Sequence, residues 1–239
     1  MGIDDIRAVL FDKDGTLFDF AASWSGWAGK LILDLAEGNE ARARAMARAL
    51  RFDLDSGVFE PSSPVIAGTL EEQVHLLAPV LPERSFAEIR ALLHQSATGA
   101  QMVAPVPLAP LLGTLQTAGL TLGVATNDGE APARAHLTRA GVLGAFAHVL
   151  GYDSGYTPKP APDMLLGFAA RIGLAPGDVV MVGDSTHDLI AGRAAGMITV
   201  GVLTGLAPRE VLAPHADAVL PDIGHLPELL GLPMTGVGR

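Results

Sequence analysis

The sequence predicts an α/β fold, in which a parallel β-sheet carries helices on both faces and a helical block is inserted after the first strand. The chain has 239 residues, of which 49% are hydrophobic and 18% are charged, so it can bury a large globular core. Short apolar runs alternate with helical segments from about residue 120 onward, as in parallel α/β proteins. Residues 18–102 have a helical pattern instead, and this change of periodicity indicates the insertion.

The N-terminal half begins with one predicted strand. Residues 6–11, Ile-Arg-Ala-Val-Leu-Phe, form an apolar run that ends directly before an Asp-x-Asp segment. In the helical block, residues 41–50 are mostly strong helix formers. Thr69-Leu-Glu-Glu72 and Ser85-Phe-Ala-Glu88 have capping-box spacing, in which a hydroxyl and a glutamate satisfy free amides at a helix start. Between these helices, residues 53–64 contain Ser, Pro and Gly and are predicted to be a loop.

The rest of the chain alternates between strand and helix. Further strands are predicted at residues 120–125, 147–150, 178–182, 198–202 and 218–220. Helices are predicted before Gly119, which would terminate the first of them, and at residues 130–140, 163–172, 189–195 and about 227–230. Residues 233–239 are expected to fray. We therefore predict a core domain of residues 1–17 and 103–239 and a helical cap domain of residues 18–102.

Composition argues against several classes of function. The net charge of −10 disfavours a nucleic-acid partner. No apolar run reaches the roughly 18 residues that cross a bilayer, so we expect no membrane partner. The segment 1–5 lacks the basic and apolar regions of a signal peptide, so we expect a cytoplasmic location. The chain has no cysteine, which excludes disulfides and thiolate metal sites.

Carboxylates dominate two of the four polar segments that lie at or near predicted strand ends, where ligands bind in open α/β sheets. In Asp12-Lys-Asp14-Gly-Thr16, one carboxylate can attack as a nucleophile while the other handles a proton. A solvated turn is the alternative interpretation. Gly183-Asp184-Ser-Thr-His187-Asp188 carries carboxylates four residues apart, and such hard oxygen ligands suit Mg²⁺. Helix N-capping is the alternative for these two aspartates.

The other two segments are suited to binding phosphate. Thr126-Asn127 follows a predicted strand and offers a hydroxyl and amides for phosphate oxygens, although it is also a good turn sequence. Pro158-Lys159-Pro160 restricts the backbone around one of only three lysines in the chain. Its ammonium can neutralise a transferring phosphoryl group. An ordinary surface lysine is the alternative.

Together, the order and spacing of these segments resemble the haloacid dehalogenase superfamily, and most closely its phosphoglycolate phosphatase-like branch. The resemblance covers roughly residues 5–20 and 103–225. It includes the stretches Val106-Pro-Leu-Ala-Pro-Leu-Leu112, Lys159-Pro-Ala-Pro-Asp-Met164 and residues 183–196. It implies a doubly wound, Rossmann-like parallel sheet with a helical cap inserted after the first motif.

The resemblance also implies a phosphatase that forms an aspartyl-phosphate. Asp12 would be the nucleophile, and Asp14 the general acid that later activates water. Mg²⁺ would be bound by a carboxylate oxygen of Asp12, the backbone carbonyl of Asp14 and a carboxylate oxygen of Asp184. Asp188 would orient a metal-bound water or Lys159. The residues that would bind the phosphoryl oxygens are Thr126, Asn127 and Lys159.

Counting charges independently favours a cation at this site. Four aspartates converge with a single lysine, and two like charges about 4 Å apart repel by about 4 kcal/mol at an effective dielectric of 20.

Lys13 departs from the family pattern, which commonly has an apolar residue between the two aspartates. Strand alternation is expected to point its side chain away from Asp12 and Asp14.

The expected substrate is a small phosphorylated metabolite such as a phosphoglycolate-like monoester, because a cap excludes bulky partners. Candidate specificity residues are the loop 55–60 and the helix with Arg44, Arg48 and Arg51, although a solvated face explains these arginines more simply.

The alternatives to a phosphatase are a sugar phosphomutase and a non-catalytic phosphate-binding regulator. Dehalogenation is disfavoured by Asp14. Phosphonate hydrolysis is disfavoured because Lys30 is the only cap lysine. Both a monomer and a homodimer fit the sequence.

Overall fold

The computed structural model of the protein describes residues 6–60 and 62–232. Its main sheet has six parallel strands in the order β5-β4-β1-β6-β7-β8. These strands are β1 (Ala8–Phe11), β4 (Thr121–Ala125), β5 (His148–Leu150), β6 (Val179–Gly183), β7 (Ile198–Val202) and β8 (Ala218–Leu220). The predicted α/β class is confirmed, and each predicted strand is present within two residues at either end.

Helices cover both faces of this sheet. They are α6 (Leu108–Thr117), α7 (Glu130–Arg139), α8 (Asp163–Ile172), α9 (Thr186–Ala195), α10 (Arg209–Leu212) and α11 (Leu226–Leu229). On one face, α6, α7 and α11 pack over Val9 and Phe11 of β1. On the other face, α8 and α9 pack over Ala8 and Leu10. The alternating side chains of β1 therefore separate two hydrophobic cores, as in a doubly wound sheet.

The chain between β1 and β4 is mostly helical. It contains α1 (Phe20–Ala36), α2 (Glu40–Leu50), α3 (Pro64–Ala67), α4 (Leu70–Leu77) and α5 (Phe86–Gly99). Both predicted capping boxes are present, at the starts of α4 and α5. These helices share a third hydrophobic core, which contains side chains from Phe20 to Ala100. The division into a core domain and a cap domain with the bounds given above stays a prediction.

The predicted loop at residues 53–64 is partly wrong. It contains most of an antiparallel hairpin of β2 (Phe52–Asp53) and β3 (Val58–Phe59), followed by α3. The rings of Phe52 and Phe59 lie 4.8 Å apart, and Phe59 also contacts Phe20 of α1 at 5.6 Å. These buried aromatic contacts stabilise the hairpin against α1.

The predicted fraying of residues 233–239 lies outside the described residues. Within the ranges that the structure does describe, no helix has both the length and the apolar character needed to cross a membrane.

Candidate active site

The four polar segments meet at the carboxyl edge of the sheet. Strand register explains this, because Phe11 of β1 lies opposite Val124 of β4 and Val182 of β6. The residues that directly follow these three strands therefore emerge side by side. One cavity is lined by all the predicted site residues, namely Asp12, Asp14, Thr126, Asn127, Lys159, Asp184 and Asp188. The roles assigned to them stay predictions.

Lys159 lies at the centre of this arrangement. Its ammonium donates to Asp12 Oδ1 at 2.6 Å, to Asp188 Oδ1 at 2.5 Å and to the carbonyl oxygen of Ala125 at 2.7 Å. Its backbone is held by the Asn127 side chain, which donates to the Lys159 carbonyl at 2.8 Å and accepts from its amide at 3.0 Å. Lys159 is buried, so the surface-lysine alternative is excluded.

Asp188 acts both as a helix cap and as an ion-pair partner. Its Oδ2 accepts from the backbone amide and the hydroxyl of Ser185, at 3.0 and 2.6 Å, which completes a capping box at the start of α9. Its other oxygen pairs with Lys159. The geometry therefore fits the expectation that Asp188 orients Lys159.

Three buried carboxylates could hold a divalent cation. Oxygen atoms of Asp12, Asp184 and Asp188 all lie within 4.8 Å of one another. Asp184 Oδ1 accepts a long 3.4 Å hydrogen bond from Thr16, whereas Asp184 Oδ2 is buried without a hydrogen-bond partner among the described residues. A buried carboxylate oxygen without a partner is costly unless a cation binds it. The donor set thus fits Mg²⁺, which prefers oxygen ligands.

Two glycines, Gly15 and Gly205, lie against the Asp184 carboxylate. A Cβ atom added to Gly15 or to Gly205 would overlap it. Gly15 also has a φ of +82°, a conformation that other residues rarely adopt. These two glycines therefore allow the chain to approach the carboxylate closely and leave room for a cation beside it.

The carboxylates repel one another strongly. Burial, together with the charges of Asp188 and Asp14, raises the pKa of Asp12 to about 7, although Lys159 opposes this rise. Burial and the charges of Asp188 and Asp12 also raise the pKa of Asp184 well above its ordinary value. Burial alone would lower the pKa of Lys159, but the two carboxylates beside it raise the pKa instead. Burial and mutual repulsion therefore favour the protonated forms of Asp12 and Asp184 when no cation is bound.

The prediction that Lys13 points away from Asp14 is wrong. Its buried ammonium lies 3.0 Å from Asp14 Oδ2 and 2.6 Å from Asp128 Oδ2. Alternation does not apply here, because β1 ends at Phe11 and the chain then turns, with the amides of Thr16 and Phe18 bonded to the carbonyl of Lys13. Burial disfavours the ammonium, but the two carboxylates outweigh it and raise the pKa of Lys13.

Sequence reasoning missed three residues around this lysine. Asp128 pairs with Lys13, and His136 Nδ1 lies 3.0 Å from the Lys13 ammonium. Trp24 of α1 donates its indole N–H to Asp14 Oδ1 at 2.8 Å, so both oxygens of Asp14 are held. Asp128 directly follows the predicted Thr-Asn segment and could have been found by position. No sequence signal connects Trp24 or His136 to the first motif.

The wall of the cavity opposite the sheet comes from the helical insertion. It consists of side chains from α1, α3, α4 and α5, together with Gly68. The predicted specificity residues are elsewhere: neither the loop 55–60 nor Arg44, Arg48 or Arg51 is among the described residues that line the cavity. Arg44 is half exposed and pairs with Glu40 on its own helix, as expected of a solvated face.

Comparisons with known proteins agree with the fold and give the family. A family model described as haloacid dehalogenase-like hydrolase matches residues 6–196. The phosphoglycolate phosphatase of Shigella dysenteriae serotype 1 is 34% identical over 249 residues, which cover 96% of this chain and 94% of that protein. A phosphatase of the same superfamily from Thermococcus onnurineus superposes with a TM-score of 0.66 over 95% of this chain and 98% of its own, at 23% identity.

Another similar structure is a chain provisionally named a β-phosphoglucomutase, from Thermotoga maritima. It superposes with a TM-score of 0.67 over 95% of this chain and 99% of its own, at 20% identity. At this low identity the likeness supports the fold alone.

The fold, the carboxylate-lined edge and the family match together define the class: this chain belongs to the haloacid dehalogenase-like hydrolases. Within that family it falls in the phosphoglycolate phosphatase-like branch, since its relatives there are matched over nearly their whole length. The protein is a phosphatase enzyme.

Proposed function

We propose that this protein is an Mg²⁺-dependent phosphatase that hydrolyses a small phosphomonoester through an aspartyl-phosphate on Asp12. The observation that carries the proposal is the buried contact of Asp12 with Lys159, next to an Asp184 oxygen that lacks a partner among the described residues. These contacts bring the proposed nucleophile, the proposed phosphate-binding ammonium and the proposed metal ligand close together, and this supports the proposal. The name of the relatives makes phosphoglycolate the first substrate to test.

In the first step, a carboxylate oxygen of Asp12 attacks phosphorus and the bond from phosphorus to the leaving oxygen breaks. That oxygen takes a proton from Asp14 and departs as an alcohol. The Lys159 ammonium, together with Thr126 and Asn127, balances charge on the phosphoryl oxygens. The indole of Trp24 and the ammonium of Lys13 fix the position of the Asp14 carboxyl group.

In the second step, water attacks the aspartyl-phosphate. Asp14, now a carboxylate, takes a proton from that water, and phosphate leaves as the Asp12 carboxylate is regenerated. Bound Mg²⁺ would be held by Asp12, Asp184 and the carbonyl of Asp14, and it would neutralise negative charge on the phosphate and the carboxylates. The helices between β1 and β4 would act as a cap, residues 18–102, that excludes bulk water during both steps.

Hydrolysis of 4-nitrophenyl phosphate tests this proposal. The wild-type enzyme should be active with Mg²⁺ and inactive after EDTA treatment. Asp12→Asn should lower turnover by at least about 10³-fold, as expected when a covalent nucleophile is lost. Asp34→Asn, on an exposed part of α1, is the matched control and should keep wild-type activity. Full activity of Asp12→Asn would disprove the assigned role.

The sugar phosphomutase alternative uses the same core residues. Incubation with a sugar phosphate separates the two, since a phosphatase releases inorganic phosphate and a mutase forms an isomer. A non-catalytic regulator would bind phosphate without either product. The cytoplasmic location stays a prediction, and so does the choice between monomer and homodimer.

A further inference from the structure

The cavity has two walls of opposite chemistry. The sheet side carries the carboxylates, Lys159, the polar residues that follow β4, and also Ser185 and His187. The side formed by the helical insertion is mainly apolar, with the side chains Trp24, Trp27, Val65, Ile66, Leu70 and Leu93. A phosphate on the sheet side directs the rest of the substrate toward this apolar wall, so the wall is in a position to select the leaving group.

The apolar wall offers no cation to a charged leaving group. Among the described residues that line the cavity, Lys159 is the only lysine or arginine. Its ammonium already contacts two carboxylates and a carbonyl oxygen. Arg84 and Arg90 of the insertion pair with Glu37 and Glu71, away from the cavity. A carboxylate on the leaving group would be buried against hydrocarbon in a cavity rich in aspartates.

Hydrogen-bonding groups for hydroxyls are also scarce on this wall. The indole N–H of Trp24 is donated to Asp14 at 2.8 Å, and that of Trp27 to Ser96 at 2.9 Å. The carbonyl of Ala97, another lining residue, accepts from His136 at 2.9 Å. Gln73 is the one polar side chain of the described insertion residues in the lining. A polyhydroxylated leaving group such as a sugar would therefore find one side-chain partner, Gln73, on this wall and would bury its other hydroxyls there without partners.

The size of the cavity limits the leaving group further. Its volume is about 60 Å³, which is room for roughly four to six waters. A phosphoryl group takes up much of this space, so the room left beside the apolar wall suits a short leaving group. A longer one would extend into the adjoining groove, which shares Gly68, Asn127, Lys159 and His187 with this cavity.

We propose that the leaving group of the physiological substrate is a small, uncharged and largely apolar alcohol, rather than a carboxylate such as glycolate or a sugar. This inference rests on the proposed phosphatase function and narrows it to phosphomonoesters of such alcohols. Binding follows from contact with the two tryptophans and the aliphatic side chains beside them.

Three esters of similar size test the proposal. Propyl phosphate has an apolar leaving group, glycerol 3-phosphate adds two hydroxyls to the same three carbons, and 2-phosphoglycolate carries a carboxylate. With wild-type enzyme and Mg²⁺, kcat/KM for propyl phosphate should exceed that for each of the other two by about tenfold or more. Equal or higher kcat/KM for 2-phosphoglycolate or for glycerol 3-phosphate would overturn the inference.

Variants of Gln73 provide a second readout. Gln73→Arg places a cation on the apolar wall and should raise kcat/KM for 2-phosphoglycolate relative to propyl phosphate by about tenfold. Gln73→Met is the matched control, which removes the amide without adding charge and should not shift the ratio toward 2-phosphoglycolate. An equal shift in both variants, with melting temperatures near that of the wild type, would contradict the charge argument.

If the protein is not a phosphatase, these experiments give a result that differs from a failure of the leaving-group inference alone. In that case none of the three esters, nor 4-nitrophenyl phosphate, would be hydrolysed. The leaving-group inference is then judged by binding to Asp12→Asn protein in Mg²⁺. Propyl phosphate should raise the melting temperature more than 2-phosphoglycolate at the same concentration, and the reverse order would overturn it.

Discussion

Replacing Lys13 by methionine tests whether the buried ion pairs beneath the site stabilise the protein. The substitution keeps an unbranched side chain, one atom shorter, but removes an ammonium that contacts Asp128 at 2.6 Å and Asp14 at 3.0 Å. It also removes the contact to His136 Nδ1 at 3.0 Å. Two carboxylates would then lie close together without a cation between them.

The magnitude follows from burial. Lys13 is fully buried, whereas the side chains of Asp14 and Asp128 are 15% and 19% exposed. Breaking a fully buried pair costs about 3–5 kcal/mol, and because both carboxylates reach some water, we expect the lower end of this range. A loss of about 3 kcal/mol lowers the melting temperature of a chain of this size by roughly 6–12 °C.

Urea unfolding measures this loss, followed by circular dichroism and by tryptophan fluorescence. Trp24 is a local probe, since its ring lies 5.6 Å from the Lys13 ammonium. Lys30→Met is the matched control: Lys30 is exposed and pairs only with Asp34 on the same helix among the described residues. We expect it to cost less than about 0.5 kcal/mol. If Lys13→Met also cost less than that, the ion pairs would not stabilise the fold and the reasoning would be refuted.

Three further predictions concern the site. Asp12 has a raised pKa of about 7 in the folded protein, so the folded state holds this proton more tightly than the unfolded chain. In metal-free protein its contribution to the melting temperature should therefore be largest below about pH 4 and should fall as the pH rises to about 7, and millimolar Mg²⁺ should restore it. Burial lowers the pKa of His136, which gives the opposite pH dependence. Subtracting the melting-temperature profile of Asp12→Asn from that of the wild type removes this effect. Identical profiles for the two proteins would contradict the prediction. Asp14→Asn should slow hydrolysis of alkyl phosphates by about 10²–10⁴-fold. It should slow hydrolysis of 4-nitrophenyl phosphate less, because nitrophenolate leaves without a proton. Equal losses for the two substrates would argue against Asp14 as a general acid. Gly205→Ala should weaken Mg²⁺ binding, measured by titration of activity, because its methyl group overlaps Asp184, whereas Gly113→Ala meets open space and should have no effect.

Much of the sheet was predictable because strand formation in this fold is a local property. Each strand is a short apolar run bounded by turn residues, such as 198–202, which matches β7 to the residue. Capping boxes at Thr69 and Ser85 were equally visible, since their partners lie three residues away. The hairpin of β2 and β3 was missed, because strands of two residues have no periodicity and depend on distant contacts with Phe20.

The aspartates, threonine and lysine that line the cavity could be selected from the sequence because each lies next to a predicted strand end or in a rigid loop. The direction of Lys13 was predicted wrongly, because alternation was applied beyond the last residue of β1. Its partners Asp128 and His136 lie 115 and 123 residues away along the chain. No local rule connects residues at such separations.

The sequence by itself determined which residues stand at the carboxyl ends of the strands, because apolar runs and turn residues define strand ends locally. Tertiary structure decided which strands are neighbours, so that Asp184 faces Asp12 across adjacent strands although they are far apart in the chain. It also decided which face of the inserted helices closes the cavity. That choice depends on how the apolar sides of α1, α4 and α5 pack together, and packing is a property of the whole chain rather than of any segment.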